Sequence, residues 1–118
     1  MIGSDFRSGD VILVPFPFTD LTTIKQRPAL IISSTKFNRV YRDVIIVAIT
    51  SHIESGTIEN IEYQLNISEN RAAGLPKPSI IKLAKIVTID QNLIRKKLGK
   101  LPQLTLKCVI TKIFRLFG

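Results

Sequence analysis

The aliphatic residues of this chain come in short runs, broken at close intervals by glycine, proline and polar clusters, and that pattern dictates most of what it can fold into. Residues 11–16, 29–34 and 43–49 are dominated by Val, Ile and Leu. Runs of this length, rich in β-branched residues and bounded by turn formers, read as strands rather than helices. Gly9-Asp10 precedes the first, and Pro15 and Pro17 place its end at a sheet edge or bulge, because proline cannot donate to a ladder. Residues 19–26 are a polar loop carrying Asp20 and Lys25. Residues 35–41 fit a turn or one short helix, and the third strand ends at Thr50-Ser51-His52.

Beyond a loop at Gly56, Ile61, Tyr63, Leu65 and Ile67 alternate with polar residues, as in a half-exposed strand. Residues 70–74 form a brief helix or turn closed by Gly74. Residues 79–83 and 85–89 make one long strand or two bent ones, and Asp90 caps a short helix over 91–94. The period then changes. Leu101, Leu104, Cys108, Val109, Ile113 and Leu116 fall on one face of an amphipathic helix predicted over 102–117, with Pro102 in its first turn. That stripe is core, with Cys108 packed inertly inside it, and Phe114 and Phe117 extend past it toward a dimer contact. Short strands at close spacing predict a small β-barrel or highly curved sheet, with this helix packed on it. The fold class is mainly β with small helical additions, as one domain spanning 1–118.

Composition narrows the classes further. With 118 residues, 45% hydrophobic and 22% charged, the chain can build a single core and is not a disordered segment. No apolar run approaches the ~20 residues of a membrane span, and the first residues lack the order of a secretory signal. A single cysteine makes no internal disulfide, so the expected compartment is the cytoplasm. One histidine and no Cys/His cluster predict no metal site and no cofactor. The net charge of +8 concentrates polyanions near the surface. Charge alone does not choose between RNA, DNA, an anionic membrane, an acidic protein and simple solubility.

Several blocks in order resemble the MazF/PemK toxin family. They are Gly9-Asp10-Val11 before an aliphatic strand, Arg27-Pro28-Ala29-Leu30-Ile31-Ile32-Ser33, and Val47-Ala48-Ile49-Thr50-Ser51. Gly74-Leu75 to Ser79-Ile80-Ile81, Ile86-Val87-Thr88-Ile89-Asp90 and Leu98-Gly99-Lys100-Leu101 continue the series over residues 9 to 116. The resemblance implies an SH3-like curved β-barrel, a homodimer, and the toxin role in a type II toxin–antitoxin system. The activity it implies is sequence-selective, metal-independent cleavage of single-stranded RNA. It also implies a cognate antitoxin whose acidic tail occupies the RNA groove.

RNA carries its own nucleophile, the 2′-hydroxyl, so cleavage to a 2′,3′-cyclic phosphate and a 5′-hydroxyl needs proton transfer and charge stabilisation but no metal. Arg27 is the first catalytic candidate, since a guanidinium fork suits two phosphate oxygens at once. Its structural alternative is an ion pair with Asp20 or Glu54. Thr50 is the second: a hydroxyl at a strand end can donate where charge develops, together with the Ser51 amide. Its alternative is an ordinary β-branched strand residue. Phe16 or Phe18 could stack a base, and Lys25, Lys82 and Lys85 could hold phosphates. The alternative for the phenylalanines is the core. Ser79 matches a family position near the RNA.

His52 follows the Thr-Ser pair, and a histidine is able to titrate near neutrality, so a direct role stays open as the lesser alternative. The family pattern does not require it, and alternation sets it on the opposite face from its neighbour. Arg95-Lys96-Lys97 with Lys100 reads as a solvated face; the alternative is that it widens the electrostatic funnel. One departure stands out: many family members carry a carboxylate where this chain has Ala84, and Lys85 stands where glutamine is frequent. That loss puts proton abstraction in question. It keeps open a non-catalytic SH3-like binding module, a toxin that inhibits a protein target such as gyrase, or one half of an inert complex with an acidic partner.

Overall fold

The aliphatic run after Gly9 forms the first strand, β1 (Asp10–Phe16), which pairs antiparallel with β2 (Lys25–Ile31). The computed structural model describes residues 6–16, 25–51 and 61–118. Asp20, Phe18, His52, Glu54, Gly56 and the side chain of Phe16 lie outside them. After β2 come α1 (Thr35–Val40), β3 (Asp43–Thr50), β4 (Glu62–Gln64), α2 (Ile67–Ala72), β5 (Ile80–Asp90), a short 3₁₀ turn at Gln91–Leu93, β6 (Lys96–Lys100) and α3 (Gln103–Arg115). The strands form one six-stranded sheet in the order β4-β5-β3-β2-β1-β6, every neighbouring pair antiparallel.

Local chemistry sets the breaks between elements. Ser34 caps α1 by accepting from the Phe37 amide at 3.0 Å. At the other end of α1, the Gln91 amide group donates to the carbonyls of Asn38 and Tyr41. Asn66 accepts from the Glu69 amide while the Glu69 carboxylate accepts from the Asn66 amide, a reciprocal cap that starts α2. This cap shortens the strand expected over 61–67. Only Glu62–Gln64 is strand, and Ile67 opens the helix in solvent. Asp90 caps the 3₁₀ turn as expected, accepting from the Asn92 amide.

The sheet has two apolar faces. On one, Val11, Leu30, Val47, Ile49, Ile81 and Leu83 meet Leu65, Leu75 and the buried side of α3. On the other, Ile12, Val14, Ala29, Ile31, Val44, Ile46, Ala48 and Ile89 bury one another, with Phe6, Val87 and Ile94 at the margin. Strand alternation assigns every residue to one face or the other.

Three further expectations need correction. Among the described residues the strands do not close into a barrel: β4 and β6 are free edges. What meets β6 from the far side is the backbone after α2. A Cβ on Gly74, which sits at φ +72°, would lie 2.0 Å from the Leu98 carbonyl oxygen, and one on Gly99 would lie 2.5 Å from that of Ala72. Only glycine at both positions allows this approach.

The second concerns β6: the basic residues at 95–97 and 100 are exposed, as expected of a solvated face, but Lys96–Lys100 is also a strand that was not expected. Lys97 pairs with the fully buried Asp10 at 3.1 Å, and the strand forms the edge beside β1. Lysine-rich edges are common because they discourage pairing with other chains. The third is the phase of α3. Its buried side is Thr105, Leu106, Val109 and Ile113, whereas Leu104 is 81% exposed and Cys108 is also exposed. Leu101 is buried but precedes the helix, so counting it with the helix shifts the apparent stripe toward Leu104 and Cys108.

Candidate active site

The second apolar face gives way to polar residues along one rim. Arg27 lies two residues before Ala29 on β2, and Thr50 two residues after Ala48 on β3, and Ala29 and Ala48 are register partners. An antiparallel ladder runs its partners in opposite directions, so continuing it by two places sets Arg27 opposite Thr50 on the same face. Directly opposed residues have Cβ atoms about 5 Å apart, close enough for both side chains to reach one phosphate. Lys25 is on the same side of β2, one alternation further out and exposed.

The ladder carries the constellation across β3. Thr50 pairs with Ile80 and Ala48 with Lys82, and Lys82 and Ile80 pair in turn with Glu62 and Gln64 of β4. Tyr63 points the other way, its hydroxyl donating to Glu69 at 2.8 Å beneath α3, which confirms that Glu62 and Gln64 share the Arg27 face. Lys82 makes an ion pair with Glu62. Three residues of β5, Leu83 to Lys85, stand opposite the single step from Val47 to Ala48. This bulge leaves Ala84 and Lys85 exposed beside the rim, a device often found near functional sites.

Arg27, Thr50, Lys25 and Lys82 therefore converge on one face, and Lys85 borders it. Ser51 follows Thr50 and is exposed. Ser79 is placed differently: it is 2% exposed, and its hydroxyl donates to the Lys77 carbonyl at 2.7 Å. Phe18 and His52 are outside the described residues. Glu62 and Gln64 were not singled out from the sequence, although alternation about Tyr63 marks them as a pair on one face.

Behind the rim, on the α3 side, Glu69 anchors a buried polar knot. Its carboxylate accepts from Thr105 at 2.6 Å as well as from Tyr63 and the Asn66 amide. Burial alone would raise its pKa, but the bonds from Thr105, Asn66 and Tyr63 outweigh that and hold it below 4.5. Tyr63 is pushed up to about 12, by burial first and then by its bond to Glu69. Among the described residues no group of three or more His, Cys, Asp or Glu side chains is placed to hold a metal ion, and no helix is long and apolar enough to cross a membrane.

A small antiparallel sheet with one covering helix and a basic, arginine-bearing rim defines the class, and comparison with known proteins makes it specific. Residues 7–117 match the family described as PemK-like, MazF-like toxin of type II toxin-antitoxin system, and the chain belongs to it. Among solved structures it is similar to an endoribonuclease in complex with its cognate antitoxin from a mycobacterial species. That match has 19% identity and a TM-score of 0.74, covering 95% of this chain and 94% of that one. It is also similar to MazF in a MazE-MazF complex from Deinococcus radiodurans, with 20% identity, a TM-score of 0.73 and 95% of each chain covered. The Mycobacterium tuberculosis toxin MazF-mt6 superposes with a TM-score of 0.72 at 18% identity, over 92% of this chain and 95% of that one. None of the curated protein sequences matches significantly.

Proposed function

We propose that this chain is the toxin of a type II toxin–antitoxin pair and cleaves single-stranded RNA without a metal ion, with selectivity for sequence. The observation that carries the reading is the β2–β3 ladder, whose continuation beyond the Ala29–Ala48 pair sets Arg27 opposite Thr50 where an apolar sheet face turns basic. The solved relatives described as an endoribonuclease and as MazE-MazF complexes support both the activity and an antitoxin partner.

In this reading the 2′-oxygen attacks phosphorus, the bond to O5′ breaks, and the products are a 2′,3′-cyclic phosphate and a 5′-hydroxyl. Negative charge grows on the two non-bridging oxygens as the phosphorane forms. Arg27 forks across them and the Thr50 hydroxyl donates to one, while Lys25 and Lys85 hold flanking phosphates. A donor aimed at developing charge contributes roughly 100- to 1000-fold in rate. Two copies of a +8 chain would join their basic faces into a longer track, the arrangement expected of a homodimer in the cytoplasm.

The test is incubation of the purified protein with a mixed-sequence RNA in EDTA, beside Arg27→Ala and Thr50→Ala variants, with the ends mapped. Cleavage in EDTA to cyclic-phosphate ends, reduced at least ~100-fold in both folded variants, is the expected result. A folded wild-type protein that leaves a diverse RNA pool intact sinks the reading and turns the search to a protein target.

A further inference from the structure

We infer that the cleft between α2 and the loop leading into β5 is a base-recognition subsite, which takes a guanine of single-stranded RNA close to the cleaved phosphate. The inference rests on the proposed ribonuclease activity and assigns part of its sequence selectivity to named residues.

The cleft has a volume of about 300 Å³. Small-molecule sites run from roughly that size to three times as much, so it suits one ring system rather than a longer ligand. Leu65, Ile67, Leu75, Pro76 and Pro78 supply its apolar lining. Leu65 and Leu75 belong to the buried core, whereas Ile67 is 80% exposed. Apolar side chains of this kind pack against the flat faces of an unstacked base.

Its shape is set in advance. The Asn70 side-chain amide donates to the carbonyls of Leu75 at 3.1 Å and Lys77 at 2.8 Å, so α2 holds the loop. The Ser79 hydroxyl donates to the same Lys77 carbonyl, and the prolines on either side of Lys77 fix two φ angles. A ligand therefore has little to order as it enters.

The polar groups left free decide which ligand fits. Asn66 Oδ1 is engaged as the cap of α2, the Asn70 nitrogen is engaged by the loop, and Asn70 Oδ1 is closed off from solvent. Arg71 lines the cleft and is exposed. Neither it nor Lys77, between the two prolines, has a carboxylate partner among the described residues. An unpaired guanidinium beside apolar walls matches guanine, whose O6 and N7 accept two bonds in one plane. An unpaired base in RNA presents that edge. Lys77 would meet an adjoining phosphate.

The sheet sets this cleft beside the rim. Thr50 pairs with Ile80, and Ile80 with Gln64. One residue further on, the Leu65 amide donates to the Ser79 carbonyl at 3.1 Å, and the cleft opens past that bond. Continuing the ladder puts Pro78 about 5 Å across and about 7 Å along from Thr50. That separation corresponds to roughly two to three nucleotides of stacked strand. The subsite thus needs no contact with the reacting atoms.

The experiment incubates wild type, Arg71→Ala and Ile67→Trp with an oligoribonucleotide pool randomised across the cleaved region. The ends are sequenced, and a melting temperature is recorded for each protein. Wild type should favour guanine at one position within about three nucleotides of the cut. Arg71→Ala should lose ~10-fold or more of that preference while keeping its preferences elsewhere. Ile67→Trp, which fills the cleft, should weaken the same preference and no other. Replacing the favoured guanine by 7-deazaguanine, which lacks the N7 acceptor, should slow wild type and make no difference to Arg71→Ala. Identical preferences in all three folded proteins overturn the inference, leave the ribonuclease reading standing and hand the cleft to a protein partner. A wild type without a guanine preference near the cut overturns it as well. So does a loss in Arg71→Ala spread evenly over every position, which reduces Arg71 to general attraction. A wild-type protein that cleaves nothing removes the ribonuclease reading first, and this inference with it.

Discussion

Glu69 and Thr105, 36 residues apart in the chain, share a buried 2.6 Å hydrogen bond that fastens α2 to α3. The same carboxylate caps α2 and receives the Tyr63 hydroxyl of β4, so one side chain ties three elements together. Replacing it with glutamine keeps the shape but removes the charge that three donors face. Charge-assisted bonds of this kind contribute about 1.5–3 kcal/mol each, partly shared when they meet on one group. Glu69→Gln should therefore lower the unfolding free energy by roughly 2–4 kcal/mol, read from urea midpoints at pH 7.

The same knot fixes the direction of the pH dependence. The folded pKa of Glu69 lies below 4.5, so the unfolded chain binds the proton more readily. Its stabilisation is complete above pH 4.5 and is lost as the pH falls through the lower folded value. Tyr63 works from the other side: with a folded pKa near 12 against 10.0, its contribution is complete below pH 10 and fades between 10 and 12. Urea titrations of wild type and Glu69→Gln should converge on acidification from pH 6 to 3. Tyr63→Phe should flatten the loss of stability between pH 9 and 12.

Arg27 is predicted to resist even a charge-preserving exchange. A lysine offers one compact ammonium where the phosphorane calls for a planar fork. Arg27→Lys should retain the fold, with a melting temperature within a few degrees of wild type, yet cleave at least ~10-fold more slowly. Wild-type rates in this variant would mean that only charge at position 27 matters.

Cys108 provides a direct check on the phase of α3. Its side chain is exposed on the helix, so a thiol reagent should label it in the native protein without denaturant. Mass spectrometry would count one modification per chain. Labelling that requires urea would return Cys108 to the core.

How much of this was legible in the sequence differs by element, and the differences have causes. β1, β3 and β5 were visible because burial leaves nearly continuous aliphatic runs, whereas β2 was placed only in part: it spans Lys25–Ile31, not 29–34, because its first half is exposed and polar and reads as loop. β6 was invisible because an edge strand of Lys-Lys-Leu-Gly-Lys needs no apolar alternation to take its place. The start of α2 was written in Asn66 and Glu69 but masked by the alternation of Ile61, Tyr63, Leu65 and Ile67, which reads as strand. At the rim, Arg27 and Thr50 emerged from local motifs, and the ladder shows why those motifs lie together. Glu62 had no such motif. Its place depends on a pairing with Lys82 across 20 residues of chain, which only tertiary structure supplies.

The close passage of Gly74 against Gly99 has a consequence for how the molecule can change. The obstacle facing a new side chain at either position is a carbonyl oxygen, not another side chain. Gly99→Ala should therefore cost ~3 kcal/mol or more in a thermal melt, beyond ordinary overpacking, because nothing nearby can turn aside. No second substitution at the seam can restore room, since there is nothing left to trim. Relief would require α2 to move bodily, and its tether to α3 opposes that. The seam behaves as a weld between two stretches of main chain: it fixes the distance between the sheet's outer strands while leaving the chemistry at the opposite rim free to vary.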